Sequence, residues 1–94
     1  MRSRIYCFII YPKISRTDWI DYLKSVCEKV YCSPIHSGFK DGREIVDHYH
    51  VLVVFKYPKW LERASFWLGP VCPVGLMRCY KDPFINVYDA KLVR

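Results

Sequence analysis

The segment from His48 to Lys56 reads H-Y-H-V-L-V-V-F-K, and its aromatic and β-branched residues are typical of a β-strand that ends at Tyr57-Pro58. Strand side chains alternate between two faces, so one face carries both histidines and the other is apolar apart from a tyrosine. The two sets are His48, His50, Leu52 and Val54, and Tyr49, Val51, Val53 and Phe55. The apolar face predicts a core on one side of a sheet, and the histidines indicate a polar site on the other.

The other segments predict the order β-α-β-β-α-β. The predicted elements are a strand over 4–11, a helix over 17–29, a strand over 30–33, a polar hairpin loop over 37–47, a helix over 60–68, a strand over 71–74, a helical turn over 75–81 and a terminal strand or tail over 85–93. The second helix is expected to turn Trp60, Leu61, Ala64, Trp67 and Leu68 inward. This order favours an α+β fold: a mostly antiparallel sheet of about 4–5 strands with two helices on one face, as in ferredoxin-like and RRM-like proteins, and a free second face.

Length and composition limit the chain to one globular domain, expected to span residues 1–94. Apolar residues make up 52% and charged residues 26%, which excludes a disordered chain. No apolar run reaches the length of a membrane helix, and no targeting signal is evident. The five cysteines are scattered without a C-x-x-C pair, so a reducing cytoplasm is expected. The formal charge of +6 attracts polyanions, chiefly nucleic acid.

The histidines are the residues most suited to chemistry. His48 and His50 project from one strand face with Cβ atoms roughly 6–7 Å apart, which suits two imidazoles that bind one divalent ion. His36 follows the neighbouring strand and could supply a third ligand. A bare H-x-H pair is also compatible with half-buried imidazoles that bond to the backbone or water.

Three segments resemble, in order, the motifs of the His-hydrophobic-His (HUH) endonucleases. They are C-F-I-I-Y-P at 7–12, S-P-I-H at 33–36 and H-Y-H-V-L-V-V-F at 48–55. The resemblance is greatest to replication initiators of small rolling-circle plasmids, and it spans residues 4–56. It implies that His36, His48 and His50 bind Mg²⁺ or Mn²⁺. The family usually has an acidic residue after the upstream histidine, where this chain has Ser37; Asp41, Glu44 or Asp47 could provide a carboxylate instead.

The resemblance also implies a tyrosine nucleophile. Tyr80 lies in L-M-R-C-Y-K-D-P-F, which is similar to a tyrosine-bearing segment of the relatives but about three residues shorter. Tyr88 opens Y-D-A-K, the Y-x-x-K spacing of related viral initiators. In this family the tyrosine attacks phosphorus, stays joined to the DNA 5′ end and releases a 3′ hydroxyl. Tyr80 is the first candidate for the catalytic residue and Tyr88 the alternative.

The expected function is a single-stranded DNA endonuclease, or nickase, and strand transferase. It would start rolling-circle replication of a plasmid or virus at an origin, in the cytoplasm of the host, without a membrane partner and with a separate helicase if one is needed. Three alternatives stay open. They are a non-catalytic single-stranded nucleic-acid-binding module such as a decayed initiator, a single-tyrosine transposase, and a protein-interaction domain.

Overall fold

The computed structural model describes residues 2–71, 74–79 and 91–92. Its strands are β1 (Ser3–Ile10), β2 (Lys29–Cys32), β3 (His36–Lys40), β4 (Arg43–Lys59), β5 (Val74–Cys79) and β6 (Lys91–Leu92). Its helices are α1 (Trp19–Val26) and α2 (Leu61–Leu68), and α2 continues into a short 3-10 turn, Gly69–Val71. The fold is α+β, as predicted. No helix in these described ranges is long and apolar enough to cross a membrane.

The sheet is built around β4, which is 17 residues long. The strand order is β5-β1-β4-β2-β6, and β3 also pairs with β4. All these pairs are antiparallel. β2 pairs with residues 51–54 of β4, and β3 pairs with residues 43–48. The two short strands therefore follow successive parts of the same long strand, and this arrangement positions the site described below.

The main core lies between the sheet and the helices. Val51, Val53 and Phe55 of β4 are buried there together with residues of β1, and Tyr49 packs against them. On the other face, Leu52 and Cys7 form a smaller buried cluster. The predicted division of β4 into two faces is therefore confirmed. The second face is only partly open, however, because Leu52 is fully buried.

Helix α1 is shorter than predicted at both ends. The Asp18 carboxylate pairs with Arg16 and makes no capping hydrogen bond, and the helix begins at Trp19. At the other end, the backbone N–H of Glu28 donates to the carbonyl of Val54 at 2.8 Å. Pairing of β2 with β4 from Lys29 therefore ends the helix before the predicted residue 29. The apolar side chains themselves face the core as expected, with Trp19 and Leu23 buried.

Two further predictions are wrong. The segment predicted as a polar loop over 37–47 is mostly strand, because β3 and β4 close a tight hairpin around Asp41 and Gly42. The segment predicted as a helical turn over 75–81 forms β5 through Cys79, since it pairs with the outer edge of β1. Pairing with β1 satisfies the backbone groups of both strands, and this outweighs the weak local preference for a helix.

The inward face predicted for α2 is only half correct. Ala64 and Leu68 are buried, whereas Trp60 is 53% and Trp67 39% exposed. Ala64 belongs to the main core cluster, whereas the two tryptophan rings remain partly exposed.

Candidate metal centre

All three histidines meet at the base of the β3–β4 hairpin. His36 and His48 are direct partners in the antiparallel pair, so their side chains project to the same side. His50 lies two residues further along β4 and shares that face. The turn that closes this hairpin has positive φ at Asp41 (53°) and at Gly42 (76°), the geometry of the two-residue turns that match the twist of paired strands. Hairpin closure is thus what brings His36 to the H-x-H strand.

The three imidazoles form a compact triangle. The ring centroids are 5.1 Å apart for His36 and His48, 4.5 Å for His36 and His50, and 5.1 Å for His48 and His50. One ring nitrogen from each lies within 4.8 Å of the others, and all three side chains are half-buried. This spacing suits ligands of one divalent ion, and the partial exposure leaves an approach for a substrate.

His48 is oriented by its own strand. Its Nδ1 lies 2.8 Å from the carbonyl oxygen of Val46. A protonated Nδ1 donates to that carbonyl, which leaves the lone pair of Nε2 available to a metal. The ring of Tyr11, the tyrosine of the C-F-I-I-Y-P segment, lies 5.8 Å from the His48 ring. A backbone acceptor of this kind is the usual way in which a protein fixes the tautomer of a histidine ligand.

His50 is held in place by Ser33, a residue whose role is not evident from composition or periodicity. The backbone N–H of Ser33 donates to the carbonyl of His50 at 2.9 Å, and the backbone N–H of His50 donates to Ser33 Oγ at 3.0 Å. Ser33 is only 4% exposed. Its place in the S-P-I-H motif is the signal that could have identified it. Burial, together with His36 and His48, lowers the pKa of His50, which favours the neutral, ligating form of its ring.

No carboxylate joins the cluster within the described part of the chain, which includes Asp41, Glu44 and Asp47. Glu44 and Asp47 instead line a small cavity beside Lys13 and Val46. Among the described residues, the donor set is therefore three imidazoles. Mg²⁺ and Mn²⁺ both favour oxygen ligands, and imidazole is typical of Zn²⁺, Cu²⁺, Fe²⁺ and Ni²⁺ sites, so these three ligands alone do not select Mn²⁺ over Mg²⁺.

Comparison with protein-family models finds no match for this chain. Among curated proteins, the chain is 34% identical over 66 residues to a protein from Staphylococcus aureus named "Replication protein". It resembles a replication protein. The aligned region covers 68% of this chain and 33% of the relative, so the chain spans about a third of the length of the curated protein it matches.

Both candidate nucleophiles, Tyr80 and Tyr88, lie outside the described residues. The strands near them differ in their relation to the histidines. On β1, Ile9 pairs with His50 of β4 on one side and with Val74, the first residue of β5, on the other. The last residue of β5, Cys79, pairs with Ile5. It therefore leads away from the metal centre. In β6, Lys91 lies opposite Cys32, directly before the residue that holds His50.

Proposed function

We propose that this protein is a metal-dependent endonuclease that nicks single-stranded DNA and rejoins it, and that it initiates rolling-circle replication of a plasmid or virus in the cytoplasm of the host. The observation that carries this proposal is the convergence of His36, His48 and His50, all half-buried, on one side of the β3–β4 hairpin. The similarity to a replication protein supports a role in replication initiation. The net charge of +6 supports DNA as the partner.

The three histidines would hold the ion, Mg²⁺ or Mn²⁺, through their ring nitrogens. A divalent ion in this position supplies Lewis-acid polarisation of the scissile phosphate. Val46 and Ser33 keep the imidazoles in place through the backbone contacts described above. Because Val46 is part of β4 and Ser33 directly follows β2, the ligands need little rearrangement on binding.

A tyrosine completes the proposed chemistry. Its oxygen forms a bond to phosphorus, the bond from phosphorus to the 3′ oxygen breaks, and the phenolic proton passes to the leaving oxygen or to solvent. The enzyme stays on the 5′ end, and reversal of the step rejoins the strand. The motif resemblance favours Tyr80, whereas the position of Lys91 beside β2 favours Tyr88 and makes Lys91 a candidate to stabilise its phenolate.

Covalent adduct formation tests this proposal. The protein is incubated with Mn²⁺ and a pool of single-stranded oligonucleotides labelled at the 3′ end, and adducts are separated on a denaturing gel. Wild type and Tyr49→Phe, a control on the same strand, should form the adduct, and His48→Ala should not. Either Tyr80→Phe or Tyr88→Phe should lose it. Adduct from both single variants and from the double variant would remove both tyrosines as nucleophiles.

A second candidate function is a single-stranded DNA-binding module without catalysis. The observation in its favour is β5, because the helical turn predicted for the segment that leads to Tyr80 is a strand as far as Cys79. Such a module would bind the same oligonucleotides and the same metal, but wild type would give neither adduct nor cleaved product.

A further inference from the structure

We infer that the outer side of α2 is a second binding surface, one that takes single-stranded nucleic acid away from the histidines. This aromatic surface is formed by Lys59, Trp60, Arg63, Phe66 and Trp67, where Lys59 contacts Trp67, Phe66 contacts Trp67 and Arg63 contacts Phe66. Lys56 and Tyr57 precede it on β4. The inference is independent of the metal chemistry proposed above, since it concerns stacking and charge only.

The aromatic rings of this surface, and of Tyr57 before it, are exposed to an unusual degree. Phe66 is 68% exposed, Tyr57 66% and Trp60 53%, and Trp67 is 39% exposed. Ala64 and Leu68 already provide the contacts of α2 with the core, so these rings are not needed to hold the helix on the sheet. Large apolar side chains grouped in this way on a surface indicate a binding partner.

The rings and the cations of this surface alternate. Trp60, Arg63 and Trp67 share one stripe of the helix through their spacing of three and four residues. The guanidinium of Arg63 lies 5.8 Å from the ring centroid of Phe66, and Lys59 Nζ lies 5.9 Å from that of Trp67. On the strand that leads into the helix, Lys56 Nζ lies 5.6 Å from the centroid of Tyr57. In each of these three pairs, the charged group thus lies within 6 Å of an exposed aromatic ring.

The charge of the surface is positive. Between residues 56 and 67 the sequence has three basic residues, Lys56, Lys59 and Arg63, and one acidic residue, Glu62. Within the described residues, ion pairs are formed by Arg4 with Glu28 and by Arg16 with Asp18, and none involves these three cations. They are therefore available to pair with an anionic partner.

Unpaired bases and a phosphate backbone match this combination of groups. Every base presents a π-face that can stack on an exposed aromatic ring, and the cations between the rings can contact phosphates. In a duplex the base faces are stacked on one another, so the rings would have no partner there. A purely apolar protein partner would leave the cations without ligands.

The aromatic surface is distinct from the metal centre. The helices pack on the face of β4 that carries Val51 and Val53, whereas His48 and His50 lie on the opposite face. Lys59 also pairs with Ser3 and His50 with Ile9, six residues apart on β1, so Lys59 and His50 lie roughly 20 Å apart along the sheet, from the rise of about 3.3 Å per residue. A strand bound at this surface thus lies away from the histidines.

The test is binding of an oligothymidylate of about 16 nucleotides, measured by fluorescence anisotropy at low salt in EDTA. EDTA removes metal and cleavage from the measurement, so the result does not depend on the endonuclease proposal. The Trp60→Ala/Phe66→Ala variant should bind at least tenfold more weakly. Phe39→Ala is the matched control, since Phe39 is 79% exposed but lies on β3, and it should stay within threefold of wild type.

Two variants separate stacking from other kinds of interaction. Phe66→Leu keeps an apolar side chain without a π-face and should bind more weakly, and unchanged affinity would overturn the inference. The Lys59→Gln/Arg63→Gln variant should reduce the slope of log affinity against log salt by about 0.7 for each phosphate that is no longer neutralised, and Lys29→Gln should leave the slope unchanged. If the ring variants bind the oligonucleotide like wild type but no longer self-associate or bind anionic vesicles, the partner is a second copy or a membrane, and the inference is wrong.

Discussion

Ser33 connects the end of β2 to the strand that carries two of the histidines. It is buried, and its hydroxyl accepts the backbone N–H of His50 and donates to the carbonyl of Pro34 at 2.9 Å. Ser33→Ala should therefore lower the free energy of unfolding by about 1 kcal/mol, since it removes this hydrogen bond. It should also weaken Mn²⁺ binding several-fold, because the His50 backbone is less restrained. Urea unfolding and calorimetric Mn²⁺ titration measure the two effects.

The matched control for this prediction is Ser25→Ala. Ser25 also donates its hydroxyl to a backbone carbonyl, that of Tyr22, but it is exposed on α1. It should change neither the Mn²⁺ affinity nor, beyond a few tenths of a kcal/mol, the stability. Equal effects from the two serine variants would show that Ser33 has no special role in positioning His50.

Cys32 provides a prediction of pH dependence. Burial raises the pKa of its thiol to about 11, because the thiolate is poorly solvated beside the sheet. The group thus stays protonated through the neutral range, and the reactive thiolate forms only as the pH approaches 11. Alkylation of the Cys32 peptide by iodoacetamide, followed by mass spectrometry, should be slow at pH 8 in native protein and much faster in unfolded protein. Equal rates in the two states at pH 8 would contradict the raised pKa.

At the scale of the elements, the position of His36 beside His48 depends on the backbone conformation of the β3–β4 turn. Gly42 has a φ of 76°, which side-chain-bearing residues rarely adopt, although a Cβ there would meet no atom within 4 Å. Gly42→Ala should therefore cost about 1 kcal/mol of stability through backbone strain alone. Since the hairpin aligns His36 with His48, Mn²⁺ affinity should fall as well. Thermal unfolding and Mn²⁺ titration are the measurements.

Gly69→Ala is the control for the hairpin prediction. Gly69 also has open space where a Cβ would lie, but its φ is −52°, in the helical region. Alanine should therefore be neutral there or stabilise by roughly 0.4–1 kcal/mol through the unfolded state. A destabilisation as large as that of Gly42→Ala would mean that the effect does not arise from the positive φ.

The sequence predicts elements well where two signals agree. The central part of β4 combines β-prone residues with a strict alternation of faces, and the strand is present with the predicted faces. β1 combines a β-prone run with a stop at Pro12, and this strand is present as well. Asp41-Gly42 correctly indicates a turn, but the polar residues beside it give no sign that both arms pair. β5 is not predicted because its pairing with β1 is long-range, and local composition does not record such contacts.

In the candidate site, too, local patterns are predictable from the sequence and long-range packing is not. Strand periodicity and the order of the motifs are enough to place His36, His48 and His50 together. The support from Ser33 and the exposure of Trp60 and Trp67 depend on which chain segment packs where. Helical periodicity assigns both tryptophans to the core, because a hydrophobic stripe does not reveal that Ala64 and Leu68 suffice to fill the space.

At the scale of the whole molecule, the proposed activity is nicking and rejoining of DNA, and it does not include unwinding of a DNA duplex. Within the proposed function, single strands and hairpin loops should be cut and fully paired linear duplex should be nearly inert, since melting costs about 1.4 kcal/mol per base-pair step. Cleavage rates on a single-stranded oligonucleotide and on the same sequence annealed to its complement measure this. Equal rates on both substrates would indicate a different class of nuclease.

The sequence separation of the paired strands also implies an order of folding. His36 and His48 pair within one hairpin, whose two strands are consecutive in the chain. β1 pairs with β4 only after α1, β2 and β3 have been passed in the sequence. The entropic cost of loop closure increases with loop length, so the hairpin contacts form at a lower cost than the β1–β4 contacts. His36 and His48 should therefore be paired early in folding, and the core behind them should be completed later.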